Sequence, residues 1–340
     1  MKILLVTEFF PKDNLLKFTG GVEVRTYYLH KELIKRHQIT VLSRPPQKVS
    51  FSFISLVDRF IFILKAIATG LQSNAELVEG SNFVTYIPAF VVGSIKHIPT
   101  VAWYPDVFIG SWVEKFGLVG LVGELIERAV LKLPWSHIIA LSKQTREKLI
   151  KAGVSSSKIT VVYAGVDQTE FKIHRKKSRL PTICCISRDV PYKRLNDLKT
   201  AFKIVKQTMP YVKLVIISGQ LSRADLVKKL KTSHVFCLPS VVEGFGLVTL
   251  EALAADIPYV NADISINREI THNGLGGLLF EPKSPQALAA KILQLLTNHQ
   301  LYLSKLREGK QLLQHYSWSK SAQETELVYQ SLIQEHKKIA

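Results

Sequence analysis

Short runs of β-branched and apolar residues alternate along the chain with longer stretches in which apolar positions recur three and four apart. Residues 2–7 read as a strand, and 22–35 as a helix with Val22, Leu29, Leu33 and Ile34 on one face. Residues 38–43 form the next strand. Residues 56–71 carry Phe60, Leu64, Ile67 and Leu71 at helical spacing. Further strands are expected at 76–79, 100–103, 137–142 and 159–163, with helices at 120–133 and 143–152. The pattern lapses between 166 and 181, where QTEFKIHRKKSRLP is polar, basic and ends in proline. It then restarts, with strands at 182–187, 212–218, 234–239 and 257–261. Helices are expected at 194–207, 222–231, 246–255, 284–297 and 319–336.

Strand–helix alternation with mostly apolar strands argues for parallel sheets covered on both faces. The expectation is a domain over 1–166, a solvated linker over 167–181, a second domain over 182–315, and a terminal helix over 316–340. Such sheets bind ligands outside the C-terminal ends of their strands, and two of them make the cleft between domains the expected site.

The composition narrows the class. The 340 residues are 47% hydrophobic and 21% charged, which excludes wholesale disorder. Lys plus Arg number 45 against 27 Asp plus Glu, a net charge of +18 that attracts nucleotides, nucleic acid or an anionic membrane. Cys184, Cys185 and Cys237 sit in apolar runs and read as core hydrophobes of a reduced compartment. No cysteine–histidine cluster suggests zinc. The N-terminus MKILLVTEFFPKD lacks a small-residue cleavage site and reads as a strand, not a signal peptide. The apolar stretch 51–72 is interrupted by Asp58, Arg59 and Lys65, so it should not span a bilayer. Its aromatic and basic character suits a helix lying on a membrane or one linking two strands.

Three loops carry candidate chemistry. Gly20 and Gly21 precede the first helix, where small residues and free N–H groups suit a phosphate or an ordinary turn. This is not G-x-G-x-x-G, which weakens a nicotinamide-dependent oxidoreductase. The loop Arg188-Asp189-Val190-Pro191-Tyr192-Lys193-Arg194 follows the second domain's first strand, and its cations can neutralise a diphosphate without a metal. The third is Glu243-Gly244-Phe245-Gly246, leading into a helix that contains Glu251. Eight helical residues span roughly 12 Å. That separation suits two acceptor-only carboxylates touching hydroxyls at either end of a nucleotide sugar. A glutamate within LVTLEALAA also needs a partner if it is buried.

At these residues the chain resembles the family-4 retaining glycosyltransferases, which have the GT-B fold of two Rossmann-like domains. Glu243 and Glu251 fit the family's E-x7-E motif, Arg188 and Lys193 its R-x4-K pair, and Gly20-Gly21-Val22-Glu23 its GG-x-E. INREI places Glu269 where the family has a glutamate, and Tyr316–Trp318 matches the start of the helix that crosses back to the first domain. The resemblance covers nearly the whole chain. It implies transfer of a sugar from a nucleotide-diphosphate sugar to a hydroxyl on a glycan or lipid-linked acceptor, with no metal and no cofactor beyond that co-substrate. Arg188 and Lys193 would bind the diphosphate and Glu251 the ribose. Glu243 and the backbone of Gly244, Phe245, Gly246 and Leu247 would hold the sugar, with Gly20 and Gly21 approaching the phosphates.

Two departures stand out. Many relatives have a histidine before the aspartate in the loop after VAW; here Pro105 precedes Asp106, leaving Asp106 or Tyr104 for a catalytic contact. The span between Ser218 and His234 is short, which implies a trimmed second domain, and Asp256 stands where glycine is usual. A catalytically impaired nucleotide-sugar or glycan-binding homologue is the alternative. Nucleic acid is not the expected partner, since no helix-turn-helix, RNA-recognition signature or zinc finger is present. The expected location is cytoplasmic, peripheral on the inner face of the membrane, in cell-envelope glycan synthesis.

Overall fold

A computed structural model describes residues 1–11, 16–18, 20–44, 53–218 and 221–339. The chain packs as two units. Unit 1 holds β1 (Lys2–Phe9), α1 (Gly21–Leu33), β2 (Gln38–Arg44), α2 (Phe53–Gln72), β3 (Leu77–Gly80), α3 (Phe83–Lys96) and β4 (Thr100–Tyr104). It continues through α4 (Trp112–Phe116), α5 (Gly120–Leu131), β5 (His137–Ala140), α6 (Lys143–Lys151) and β6 (Ile159–Val161). Its strands form a parallel sheet in the order β2-β1-β3-β4-β5-β6. Ile3–Val6 of β1, which lies between β2 and β3, are buried, as the unbroken apolar run anticipates.

Helix α3 is not announced by the hydrophobic pattern. Its sequence FVTYIPAFVVGSIK is apolar on nearly every side, so no stripe marks a period, and Pro88 lies inside it. The turn is held at its start by Thr85, whose hydroxyl oxygen accepts from the N–H of Asn82 at 3.0 Å and of Ser81 at 2.9 Å.

Unit 2 holds β7 (Thr182–Ile186), α7 (Leu195–Thr208), β8 (Lys213–Ile217), α8 (Arg223–Thr232), β9 (Val235–Leu238), α9 (Leu247–Ala254) and β10 (Tyr259–Ala262). It is completed by α10 (Ser265–Ile270), β11 (Gly277–Phe280), α11 (Pro285–Thr297) and α12 (His299–Leu313). Its parallel sheet runs β11-β10-β9-β7-β8. Beyond β8, where a longer domain would add a strand, this sheet ends among the described residues. Cys185 and Cys237 join its apolar core, and all three cysteines are buried and unpaired.

The helix α13 (Trp318–Ile339) closes the chain, and from Ser319 onward it belongs to unit 1. Both units are Rossmann-like α/β layers of the GT-B type. The expected linker is only partly free. Lys172–Lys176 are exposed, but Phe171 is buried, Glu170 is ion-paired, and the stretch packs with unit 2. Phe171 and Glu170 have partners far along the chain, which a local reading of polarity does not reveal.

Candidate functional site

The order β11-β10-β9-β7-β8 reverses direction at β7, so the chain leaves β7 toward β8 and returns to β9 on the other side. The loops after β7 and β9 therefore flank a topological switch point, the place where open α/β sheets take ligands. Those loops are the Arg188–Arg194 and Val241–Gly246 segments. They are joined directly: the N–H of Val241 donates to the carbonyl of Tyr192 at 3.0 Å. The ammonium of Lys193 lies 2.5 Å from Oε1 of Glu243, with both side chains largely buried. Thus the two residues expected to hold different parts of a donor are paired with each other.

Arg188 is exposed, and its side chain makes no hydrogen bond or ion pair among the described residues. Lys193 sits in a 3-10 turn, Pro191–Lys193, which Arg194 ends in the left-handed region at φ 54°. Arg194 is fixed there by a two-point contact with Asp197, at 2.8 and 2.9 Å.

Gly244 is half-buried in the loop that follows. Phe245 is buried, its ring edge-on to Tyr316 at 6.0 Å. Gly246 has φ 82°, which favours glycine, and its carbonyl accepts from Thr249 in the first turn of α9. Leu247 begins that helix, whose N-terminal amides can receive an anion.

Glu251 is buried, as its apolar surroundings require, and its partner is Arg223, the first residue of α8. The same guanidinium donates from Nε to Glu170 at 2.7 Å and lies over the ring of Phe171, 5.4 Å from its centre. Sequence reasoning missed Arg223 and Glu170. The only signal was the unexplained glutamate in LVTLEALAA, which called for a cation without saying which one.

The remaining candidates belong to unit 1. Gly20 caps α1 with φ −177°, and a Cβ there would meet nothing within 4 Å. Neither packing nor backbone geometry requires glycine at that position. Gly21 begins the helix and Glu23, two residues on, is buried. Asp106 is buried after β4, its Oδ1 accepting from Lys148 at 2.6 Å and from the N–H of Val107 at 2.9 Å. The hydroxyl of Tyr104 is buried with no hydrogen-bond partner among the described residues, and its ring stacks on Tyr86 at 4.6 Å.

A second charged cluster lies in unit 2. Asp256, in the left-handed region at φ 57°, is 2.9 Å from Lys231 and 3.8 Å from Lys310, and its carbonyl accepts from Lys177 at 3.1 Å. Burial, with Lys231 close by, lowers the Lys177 ammonium to about 8 against the pull of Asp256.

Comparison with known proteins gives a consistent picture. The family described as Glycosyltransferase Family 4 matches residues 19–170, and the one described as Glycosyl transferases group 1 matches 215–311. An uncharacterized glycosyltransferase of Methanocaldococcus jannaschii is 30% identical over 148 residues, 42% of this chain and 41% of that protein's length. The match to the first of these relatives thus spans less than half of it. A glycogen synthase of Mycobacterium tuberculosis is 23% identical over 296 residues, covering 78% of this chain and 71% of the relative. Among solved structures, an Anabaena protein in complex with UDP and glucose superposes with a TM-score of 0.75 at 18% identity, over 98% of this chain and 100% of its own. At that identity the likeness speaks for the fold.

Proposed function

As the chain belongs to the glycosyl transferases of group 1 and family 4, we propose that it moves a sugar from a nucleotide-diphosphate sugar to a hydroxyl acceptor, with retention at the anomeric carbon and without a metal ion. The observation that carries this reading is the juxtaposition of Lys193 and Glu243 on two loops joined at the switch point of unit 2. A diphosphate draws Lys193 away from Glu243, and Arg188 adds a second positive charge. Glu243, released from its cation, accepts hydrogen bonds from sugar hydroxyls. The amides at the start of α9 meet the phosphates, and Glu251 meets the ribose.

Charge develops on the departing diphosphate as the bond from the anomeric carbon to its oxygen breaks. Two cations stabilise that charge, Lys193 from a largely buried position and Arg188 from an exposed one. The incoming hydroxyl bonds to the anomeric carbon from the same face and gives its proton to the leaving phosphate oxygen. No protein nucleophile is needed, and the cations do the work a metal would otherwise do.

A thermal-shift screen over nucleoside diphosphates and their sugars tests donor binding, since a ligand of the folded state raises the melting temperature. Product analysis at the anomeric centre then tests retention. Absence of any shift and any transfer would defeat the reading. Binding without turnover would favour the catalytically impaired homologue, for which Pro105 and the engagement of Asp106 by Lys148 speak.

The acceptor we infer is a glycan or lipid-linked hydroxyl at the cytoplasmic face of a membrane, in cell-envelope glycan synthesis. Supporting this, α2 exposes Phe60 at 61% and Leu64 at 52%, and the segment into α5 exposes Leu118 at 81% and Leu125 at 69%. Contiguous exposed apolar patches mark interaction surfaces, and these side chains are the candidates for one. No helix among the described residues is long and apolar enough to cross a membrane. Flotation with anionic liposomes at low salt checks the association, and a protein that stays at the bottom of the gradient excludes it.

A further inference from the structure

Three elements of unit 2 bring together a row of charges. Glu170 comes from the turn Gln168–Phe171, Arg223 from the start of α8 and Glu251 from the middle of α9. Arg223 donates from Nε to Glu170 Oε2 at 2.7 Å and from Nη1 to Glu251 Oε1. The side chains of Arg223 and Glu251 are each less than a tenth exposed. A buried carboxylate–guanidinium–carboxylate row is weak as a stability device, because a packed apolar trio holds such elements as well or better. The place of Glu251 on α9, the helix that leaves the loop at the switch point, fits a polar ligand.

The chemistry of the row defines what it can do. A carboxylate only accepts, and Oε1 of Glu251 is already engaged by Arg223. The planar fork of the guanidinium, backed by the Phe171 ring and anchored by Glu170, fixes one rotamer of Glu251. Oε2, which has no hydrogen-bond partner among the described residues, is the oxygen left most open to a ligand. A hydroxyl that donates to it is matched; a ligand lacking that hydroxyl leaves a buried charged acceptor unpaired.

We propose that Arg223 is a specificity-determining residue of the donor site: by holding one oxygen of Glu251 it aims the other at a ribose hydroxyl, so that the site distinguishes a ribonucleotide from its deoxy counterpart. This rests on the reading of the chain as a nucleotide-sugar-dependent transferase. Arg223 acts through Glu251. It is a positioning residue, and its signature is a discrimination ratio and not an overall loss of binding.

The test is calorimetry on the full chain with UDP, GDP and ADP, followed by the 2′-deoxy and 3′-deoxy forms of whichever binds most tightly. The unmodified protein is expected to prefer the ribonucleotide over one deoxy form by about tenfold or more. Arg223→Lys keeps the charge but replaces the fork with a point ammonium, and should bring that ratio below about threefold. Glu170→Gln leaves the contact between Arg223 and Glu251 in place and should keep most of the ratio. Melting temperatures establish that each variant is folded, and a ratio measured on folded protein is insensitive to a general loss of stability. A ratio near one in the unmodified protein, or an unchanged ratio in a folded Arg223→Lys variant, overturns the inference while the transferase reading stands. Failure of all three diphosphates to bind defeats that reading itself.

Discussion

Tyr329, near the end of the chain, donates its phenolic hydrogen to Oε2 of Glu79 at 2.6 Å, across 250 positions of sequence. Glu79 is fully buried in β3 and is also ion-paired with Arg25 of α1, whose guanidinium lies 4.6 Å from the centre of the Trp103 ring in β4. The closing helix is thus fastened to a charged node shared by α1, β3 and β4. Burial, and secondarily the Glu79 charge, push the Tyr329 phenol well above its ordinary range, so it stays protonated and able to donate.

Removing parts of this node should have graded effects. Tyr329→Phe loses a hydrogen bond to a charged acceptor and should destabilise by about 1.5–3 kcal/mol. Glu79→Gln strands a buried guanidinium and should lose about 3–5 kcal/mol. Urea unfolding of both variants and of the double variant checks this. Strictly additive losses would show that the two groups do not act together.

The Lys193–Glu243 pair predicts opposite behaviour from its two halves. Lys193→Ala removes a cation from the diphosphate and should weaken donor binding about tenfold or more, with transfer falling about a hundredfold. Glu243→Gln leaves Lys193 without its carboxylate, so nucleoside diphosphate binding should hold or tighten while transfer falls. Calorimetry with the diphosphate and initial rates with the sugar donor separate these effects. Parallel losses in both variants would mean that the pair is structural.

Most of this architecture is legible in the sequence because parallel strands buried on both faces leave unbroken apolar runs, and surface helices leave stripes. The elements that escape are those that violate these signals. Helix α3 is apolar all round and contains Pro88; β11 is four residues after a glycine-rich turn; α12 follows α11 with only Asn298 between them. The site divides in the same way. Arg188, Lys193, Glu243 and Glu251 stand at fixed local spacings and can be read in line. Arg223 lies 28 residues from Glu251 in a plain amphipathic helix, and only the meeting of α8 with α9 reveals it.

Lys177 offers a pH test. Its ammonium is lowered to about 8 in the fold, chiefly by burial, whereas an unfolded chain keeps an ordinary lysine. The folded state therefore binds fewer protons between pH 8 and about 10.4, so this group adds stability as pH rises through that window. Trace labelling with acetic anhydride, read by mass spectrometry, should show Lys177 reactivity rising with a midpoint near pH 8, about two units below that of an ordinary lysine. A midpoint near 10 at Lys177 would refute the assignment.

Gly246 and Gly20 should respond differently to alanine, because structure demands a glycine at only one of them. At Gly246 the backbone is left-handed with φ 82°, and an added Cβ would sit 3.3 Å from the Ile270 side chain. Gly246→Ala should therefore lose about 1–2 kcal/mol and weaken donor binding by shifting the loop that carries Glu243. At Gly20 the backbone is extended and the space is open, so Gly20→Ala should leave the melting temperature unchanged. Any fall in transfer at that position would then reflect a substrate that needs the room of the missing side chain. If Gly20→Ala is instead as active as the unmodified protein, the missing side chain at that position has no part in the reaction.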